Sequence, residues 1–360
     1  MKTLFIKHKK LLWLILCLML TLAALLCLWR IHGLSRSMSA QQAAERWQGE
    51  SELEFAQVSC FVPVDEALSL NQIYGFRAKM LQELNKAALD SEGSDGLWRD
   101  AWCAVGKLKV SSDKAAGEAS VIAVGGDFFS FHPLRLLSGD YLREDDLMHD
   151  RVLLDPELAW MLFGGTDLQG MEMKINDRIF LIAGVVEREK DEASRKAYTA
   201  GQGLYMSYEA YKELTESESI TAYELVLPNP VKNFAVNVAK DNFPIGRGEV
   251  LQNSGRFSYG RLFGLISKLD ERAMQGMGMI YPYWENAARV TENRCARLLL
   301  TAMILLVLPL VSLLVFIQHG LKRGAEGFSE KLFPRIKDGV EEAIRRPARR
   351  RWEKKHPGED

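Results

Sequence analysis

The chain has 360 residues, of which 48% are hydrophobic and 26% charged, with a formal net charge of −1. That balance fits neither a disordered polyelectrolyte nor a strongly basic nucleic-acid binder. The averages conceal a sharp segregation: Leu11 to Trp29 is uncharged over 19 residues and Leu298 to Ile317 over 20, and a hydrocarbon core of about 30 Å calls for about 20 apolar residues in a helix.

In chain order, residues 1–10 read as a basic cytoplasmic N-terminus (Lys2, Lys7, Lys9, Lys10) and 11–29 as the first transmembrane helix. A secretory signal has an apolar core of about 7–15 residues; this one is longer and reads as an anchor. The four lysines ahead of it outweigh Arg30 and Arg36 behind it, which places the N-terminus inside and the following region outside.

Residues 30–297 then form an extracytoplasmic region. Its polar, helix-prone start, 30–50, is expected to continue the first helix. Residues 53–64 (LEFAQVSCFVPV) alternate like a strand, and 70–89 carry Ile73, Phe76, Met80, Leu81, Leu84 and Leu89 at helical spacing. A loop at 91–96 and a strand over 97–110 complete a β-α-β unit. Next come a strand over 119–124, Phe128-Phe129 and 134–137 on either side of Pro133, a turn at Ser138-Gly139-Asp140, a strand over 151–154 and a helix over 156–163 closed by Gly164-Gly165. Strands at 170–175 and 178–186 meet at Asn176-Asp177, a tight-turn pair. Residues 187–202 are polar and charged and are expected to be mobile. A strand at 204–206 precedes a helix over 207–214. The last part repeats the first pattern: a strand at 222–227, a helix opened by Pro228 and Pro230, a strand at 249–253 and a helix over 259–271.

The fold expected is therefore an α+β extracytoplasmic domain of two subdomains between two transmembrane helices. Residues 46–118 and 218–290 build a β-α-β-type subdomain, and 119–217 form a β-rich insert within it. Cys60 and Cys103 both lie on strands of this region; in an oxidising compartment they are either disulfide-bonded or two buried thiols.

The second transmembrane helix spans 298–317, and 318–360 form a cytoplasmic tail with 12 Lys or Arg against 8 Asp or Glu. Within it Phe328, Leu332, Ile336, Val340 and Ile344 recur every four residues with Phe333 beside them, followed by a cluster of arginines. Such an amphipathic helix rests on anionic membrane lipid or docks on a cytoplasmic partner.

No catalytic chemistry is legible. The six histidines are scattered and no metal-ligand spacing, nucleophile elbow or phosphate loop occurs. Neither span carries a charged residue, so neither reads as an ion pathway. A non-enzyme without cofactor, acting through partners other than nucleic acid, is expected.

The middle of the outer region carries an ordered string. Gly126-Asp127-Phe128-Phe129 is followed by Leu136-Leu137-Ser138-Gly139-Asp140-Tyr141-Leu142 and Arg151-Val152-Leu153-Leu154-Asp155. Then come Leu158-Ala159 to Leu162-Phe163-Gly164-Gly165, Asp167-Leu168-Gln169-Gly170 and Phe180-Leu181-Ile182-Ala183-Gly184-Val185-Val186. This string resembles the periplasmic core domain of MacB/FtsX-type ABC transporter permeases, with Asp140 standing where that family's motif has Arg. The resemblance implies an outer domain of two subdomains, one interrupting the other. It also implies dimers working with a separate or fused ATPase, whose motion reaches the outer domains across the membrane. Family members carry four spans per unit and a recognisable ATPase-facing stretch after the second. With two spans and no such stretch, this chain is expected to be a shortened relative: a non-catalytic, permease-like subunit, partnered by an ABC ATPase, a further permease subunit or a second copy. The alternative is a membrane-anchored extracytoplasmic binding or sensing module without transport activity.

Overall fold

In the computed structural model, which describes residues 2–89, 97–143, 146–198, 203–268 and 278–355, the chain divides into two units. One comprises Met1–Leu28 with Thr301–Asp360, the other Trp29–Leu300.

The first unit holds most of the apolar helices. Helix α1 covers Lys2–Arg36, and the last helix of the chain, α10, covers Tyr283–Lys355. Each contains a stretch of mean hydropathy 2.9, long and apolar enough to cross a membrane. Leu11, Leu12, Leu14, Leu18 and Leu22 of α1 and Val311, Leu313, Leu314 and Phe316 of α10 are all exposed, as lipid-facing side chains are. Their few polar atoms are satisfied locally. Thr21 and Ser312 donate to the carbonyls of Cys17 and Leu308 one turn back, at 2.8 Å each, and Trp13 Nε1 donates to Ser312 Oγ at 3.1 Å.

The second unit is a mixed α/β domain built on one ten-stranded sheet. In chain order its main elements are α2 (Ala43–Gln48), β1 (Phe55–Phe61), α3 (Leu70–Lys86), β2 (Arg99–Ser111), β3 (Ala116–Gly126) and α4 (Phe128–Phe131). These are followed by β4 (Arg135–Gly139), β5 (Arg151–Leu154), α5 (Pro156–Phe163), β6 (Glu172–Ile175), β7 (Arg178–Glu187) and α6 (Glu192–Ala197). The rest are β8 (Gly203–Ser207), α7 (Tyr208–Thr215), β9 (Ala222–Pro228), α8 (Phe234–Asn242), β10 (Glu249–Gln252) and α9 (Tyr259–Ile266). The strand order is β10-β1-β9-β2-β3-β8-β5-β7-β4, with β6 pairing β2 and β7. β1 and β2 both run antiparallel to β9 between them, so they are parallel to each other, with α3 as the crossover. Strands from the two ends of the region thus form one half of the sheet, and strands from residues 116–207 the other half.

Both faces of the sheet are covered, which is why β9 is buried at every position. On one face α3 contributes Ile73, Phe76, Met80 and Leu84, joined by α5, α7 and α8. Ser69 caps α3 in a reciprocal capping box with Gln72, and Asp155 caps α5 through Leu158 N–H. On the other face Ala43 and Ala44 of α2 and Phe128 and Phe131 of α4 pack with Tyr283 and Trp284 at the start of α10.

Several expectations are corrected. α1 stops at Arg36 and is followed by a 3-10 turn over Ser39–Gln41. The Gln57 side chain takes the Ala40 carbonyl and the Ala43 N–H at 2.8 and 2.9 Å, so that turn bonds to the sheet instead of extending the helix. Within the stretch expected to be mobile, Glu192–Ala197 forms α6, which Asp191 caps by accepting from the N–H groups of Ala193 and Ser194, both buried; residues 199–202 lie outside the described residues. On either side of Pro133 the chain forms α4 and β4, and the strand pairing of β4 runs to Gly139, into the turn expected at 138–140. The expected helix after Pro230 starts later, at Phe234. The loop at 91–96 and the end of the helix expected to reach Glu271 lie outside the described residues.

Cys60 and Cys103 are both free and buried. Their strands flank β9, so their backbones are about 10 Å apart at ordinary strand spacing, beyond the reach of a disulfide. They also pack on opposite faces, Cys60 under α3 and Cys103 beside the α4 cluster. Burial, aided by the Glu224 carboxylate, pushes both thiols above their ordinary range, which keeps them unreactive.

The paired glycines of β4 and β7 show what part of the ordered string does. Gly139 faces Gly184 across the ladder beside a bulge, with φ of 76°, and a Cβ on Gly139 would lie 2.0 Å from the Ala183 carbonyl oxygen. Gly139→Ala is expected to cost about 2–4 kcal/mol, combining a strained dihedral with overpacking. Gly165→Ala, where a Cβ meets nothing within 4 Å, is expected to change little. Thermal melts of the detergent-solubilised chain read both, and equal midpoints would contradict the assignment.

Candidate functional site

The sheet's second face carries an unusual concentration of buried polar side chains, centred on Arg256 in the turn between β10 and α9. Its side chain is 4% exposed, yet all five of its N–H donors have acceptors. Nε donates to Glu292 Oε1 at 2.9 Å and Nη2 to Glu292 Oε2 at 3.0 Å; Nη1 and Nη2 donate to Glu285 Oε2 and Oε1 at 2.8 and 3.0 Å; Nη1 also reaches Gln41 Oε1 at 2.7 Å. Burial works against the charged guanidinium, but the Glu285 and Glu292 carboxylates outweigh it and lift the group above its ordinary value.

Glu285, Arg289 and Glu292 line one face of α10, because residues three and four apart on a helix share a face. Arg289 donates to Glu285 Oε1 at 2.7 Å and to Glu249 Oε2 at 2.6 Å, and lies 4.0 Å over the Tyr281 ring. The first turns of α10 are thereby held to β10 and to the β10–α9 turn. The chain following α1 is held from the other side, since Gln41 accepts from Asn253 Nδ2 at 2.7 Å as well as from Arg256.

The network continues across the sheet. Asn253 Oδ1 lies 3.0 Å from Ser59 Oγ, which lies 2.8 Å from Glu224 Oε1. The other oxygen of Glu224 is 2.5 Å from His132 Nε2, on the residue following α4. The His132 ring sits 4.2 Å from that of Trp284, and Phe128 packs edge-on against Trp284 at 5.6 Å. One polar chain therefore connects residue 41, strands β1 and β9, the α4 segment and α10. Its one hydroxyl beside a carboxylate, Ser59 against Glu224, is fully buried, and what the network visibly does is attach these segments to one another.

Of the residues singled out in the sequence, Cys60 and Cys103 flank this network without joining it. In the tail, helix α10 runs through 328–344, with Ile336 and Val340 exposed; the side chains of Phe328, Leu332, Phe333 and Ile344 lie outside the described residues. Arg256, Glu224 and His132 were not singled out by sequence reading. The one legible signal was the Glu285, Arg289, Glu292 spacing just ahead of an apolar helix.

Comparison with known proteins gives structural neighbours and nothing at the level of sequence: no family model and no curated protein matches. Among solved structures the chain is similar to the extracellular domain of a noncanonic ABC-type transporter, YknZ, from Gram-positive bacteria (13% identity, 55% of this chain and all of that one, TM-score 0.38). It is also similar to the periplasmic region of MacB from Actinobacillus actinomycetemcomitans (14% identity, 61% of this chain and 94% of that one, TM-score 0.39). A third is a domain of a permease protein from Porphyromonas gingivalis (14% identity, 55% and 88%, TM-score 0.32). The neighbours are transporter and permease domains. In this chain the mixed α/β domain lies in sequence between two apolar helices.

Removing one partner from a buried ion cluster strands the others. Arg256→Met is expected to destabilise the chain by about 3–5 kcal/mol. The double variant R256M/E292Q, which removes the carboxylate left without a cation while Glu285 keeps Arg289, is expected to recover part of that loss. Thermal unfolding in detergent decides it; a single variant that melts like the wild type would mean that the cluster holds nothing together.

Proposed function

We propose that this chain is a non-catalytic, permease-like subunit of an ABC transporter system, which couples a separate ATPase to movement of its extracytoplasmic domain. The observation that carries the reading is the Arg256 cluster. It ties the residue groups adjoining both apolar helices, 38–41 and 285–292, to one sheet. A displacement entering through either segment would be delivered to the sheet instead of being absorbed in a slack linker. The ordered string supports the same reading, because one of its residues, Phe128, packs on Trp284 at the start of α10.

On this proposal, residues 46–118 with 218–290 act as one subdomain and 119–217 as the other. Both termini are cytoplasmic, as the lysines before the first span and the basic tail after the second favour. The apolar row Phe328, Leu332, Phe333, Ile336, Val340 and Ile344 is the contact with a cytoplasmic ATPase or with membrane lipid, and a further permease subunit or a second copy completes the assembly. MacB and the ABC-type transporter among the structural neighbours point to the same kind of partner.

Affinity purification of the full-length chain in gentle detergent is expected to recover an ABC ATPase, and to lose it when residues 328–346 are deleted. Recovery of outer-face ligands alone, at every detergent strength, would replace the coupling role with that of an anchored binding module. For topology, Asp113→Cys should react with a membrane-impermeant maleimide in intact cells, and Arg349→Cys only after permeabilisation. The reverse pattern would invert the orientation.

A further inference from the structure

A cavity of about 310 Å³ lies along an open edge of the sheet. Strand β10 ends the sheet and pairs with β1 alone, and three of its consecutive residues, Val250, Leu251 and Gln252, line the cavity. Asn253 N–H donates inward to Gln57 O at 2.8 Å. By the alternation of an antiparallel pair, the backbone groups of Val250 and Gln252 therefore point outward, to the side that has no strand. Helix α8 supplies one wall, with Asn237 and Lys240, and Arg256, Arg261 and Glu292 supply another.

The charges of this cavity do not cancel. The one carboxylate among its described lining residues, Glu292, spends both oxygens on Arg256, at 2.9 and 3.0 Å. Arg261 donates to the Gln252 carbonyl at 2.7 Å, a neutral partner. Neither Arg261 nor Lys240 has a carboxylate partner among the described residues. Arg261 is exposed overall, yet the protein around its guanidinium pulls the group below its ordinary value; Glu292 offsets this in part, and Arg256 adds to it. Two cations thus border one cavity without a counter-charge.

We propose that this cavity binds a phosphate group, either as inorganic phosphate or as part of a lipid headgroup. A phosphate carries close to two charges at neutral pH and presents oxygens in several directions. That suits a guanidinium on one wall, an ammonium on another and outward backbone N–H groups along the edge between them. A carboxylate, with one charge and two oxygens in a plane, leaves one wall unanswered. A sphere of the cavity's volume is about 8 Å across, which leaves room for the anion beside the ends of both side chains. Along α10, Glu292 stands six residues before Leu298, where the apolar stretch opens, or about 9 Å at about 1.5 Å per residue; a lipid is therefore tested beside the free ion. The site does not rest on the coupling role.

Isothermal titration of the full-length chain in a maltoside detergent uses three probes: inorganic phosphate, dihexanoylphosphatidic acid and dihexanoylphosphatidylcholine. Saturable binding of inorganic phosphate or of phosphatidic acid is expected, weakening as salt is raised. Phosphatidic acid binding more tightly than inorganic phosphate would assign the site to a lipid headgroup; any other order among binding anions would assign it to the free ion. Arg261→Gln and Lys240→Gln should each weaken the anion by about 5–10-fold, the worth of one hydrogen bond at an accessible site. Both residues are exposed, so both variants should melt like the wild type. Lys79→Gln, exposed on α3 and outside the cavity, should change nothing. No saturable binding of either anion would overturn the site. So would an equal loss in all three variants, or equal affinity for the two lipids, since the choline lipid carries its own counter-cation.

Discussion

The mixed α/β domain depends on one guanidinium whose five donors are all occupied inside the protein. Arg256 reaches Glu285 and Glu292 on α10 and Gln41 after α1, a set of directions that only a planar, forked cation can meet at once; a lysine ammonium offers three donors from a single point. Burying these charges costs several kcal/mol per ion before their attraction is counted, so the cluster is better understood as fixing a geometry than as supplying net stability. The geometry it fixes is that of the two chain segments adjoining the apolar helices, both held to the edge of the sheet that ends in β10.

The rest of the second face follows from that anchorage. With α10 begun at Tyr283, Trp284 falls among Phe128, His132 and Tyr283, and α4 closes over the sheet. Glu224, buried in the central strand β9, is acceptable because Ser59 and His132 meet both of its oxygens. The opposite face needs no such device. There α3, α5, α7 and α8 lay ordinary apolar stripes on the sheet, and its chief buried charge, Asp100, is taken bidentately by Arg77 at 2.7 Å and by the Tyr223 hydroxyl at 2.6 Å. One face is a conventional core, and the other combines a core with an attachment point.

The motif string acquires a physical meaning in this setting. Asp155 is an N-cap and the partner of Arg188, Gly164 closes α5 in the left-handed conformation, and Gly139 and Gly184 let two strands approach more closely than side chains allow. These are demands of backbone geometry.

What the sequence determined by itself was whatever depends on neighbours along the chain. Hydropathy over 20 residues marks the apolar helices, and period-2 and period-3.6 patterns mark β1, α3, β5, α5 and β9 to within a few residues. Asn176-Asp177 marks the turn between β6 and β7, where both residues take positive φ. Tertiary structure alone decided the rest. Cys60 and Cys103 both read as strand residues, yet whether they could meet depended on β9 lying between their strands, which is a matter of sheet order. The helix after residue 36 had the propensity to continue, but Gln57, on a strand fourteen or more residues further on, captured its backbone groups. Arg256, Gln41, Ser59, Glu224 and His132 are separated in sequence by up to 215 residues and share no local pattern, because a buried polar network is specified by which elements converge in space and not by spacing along any one of them.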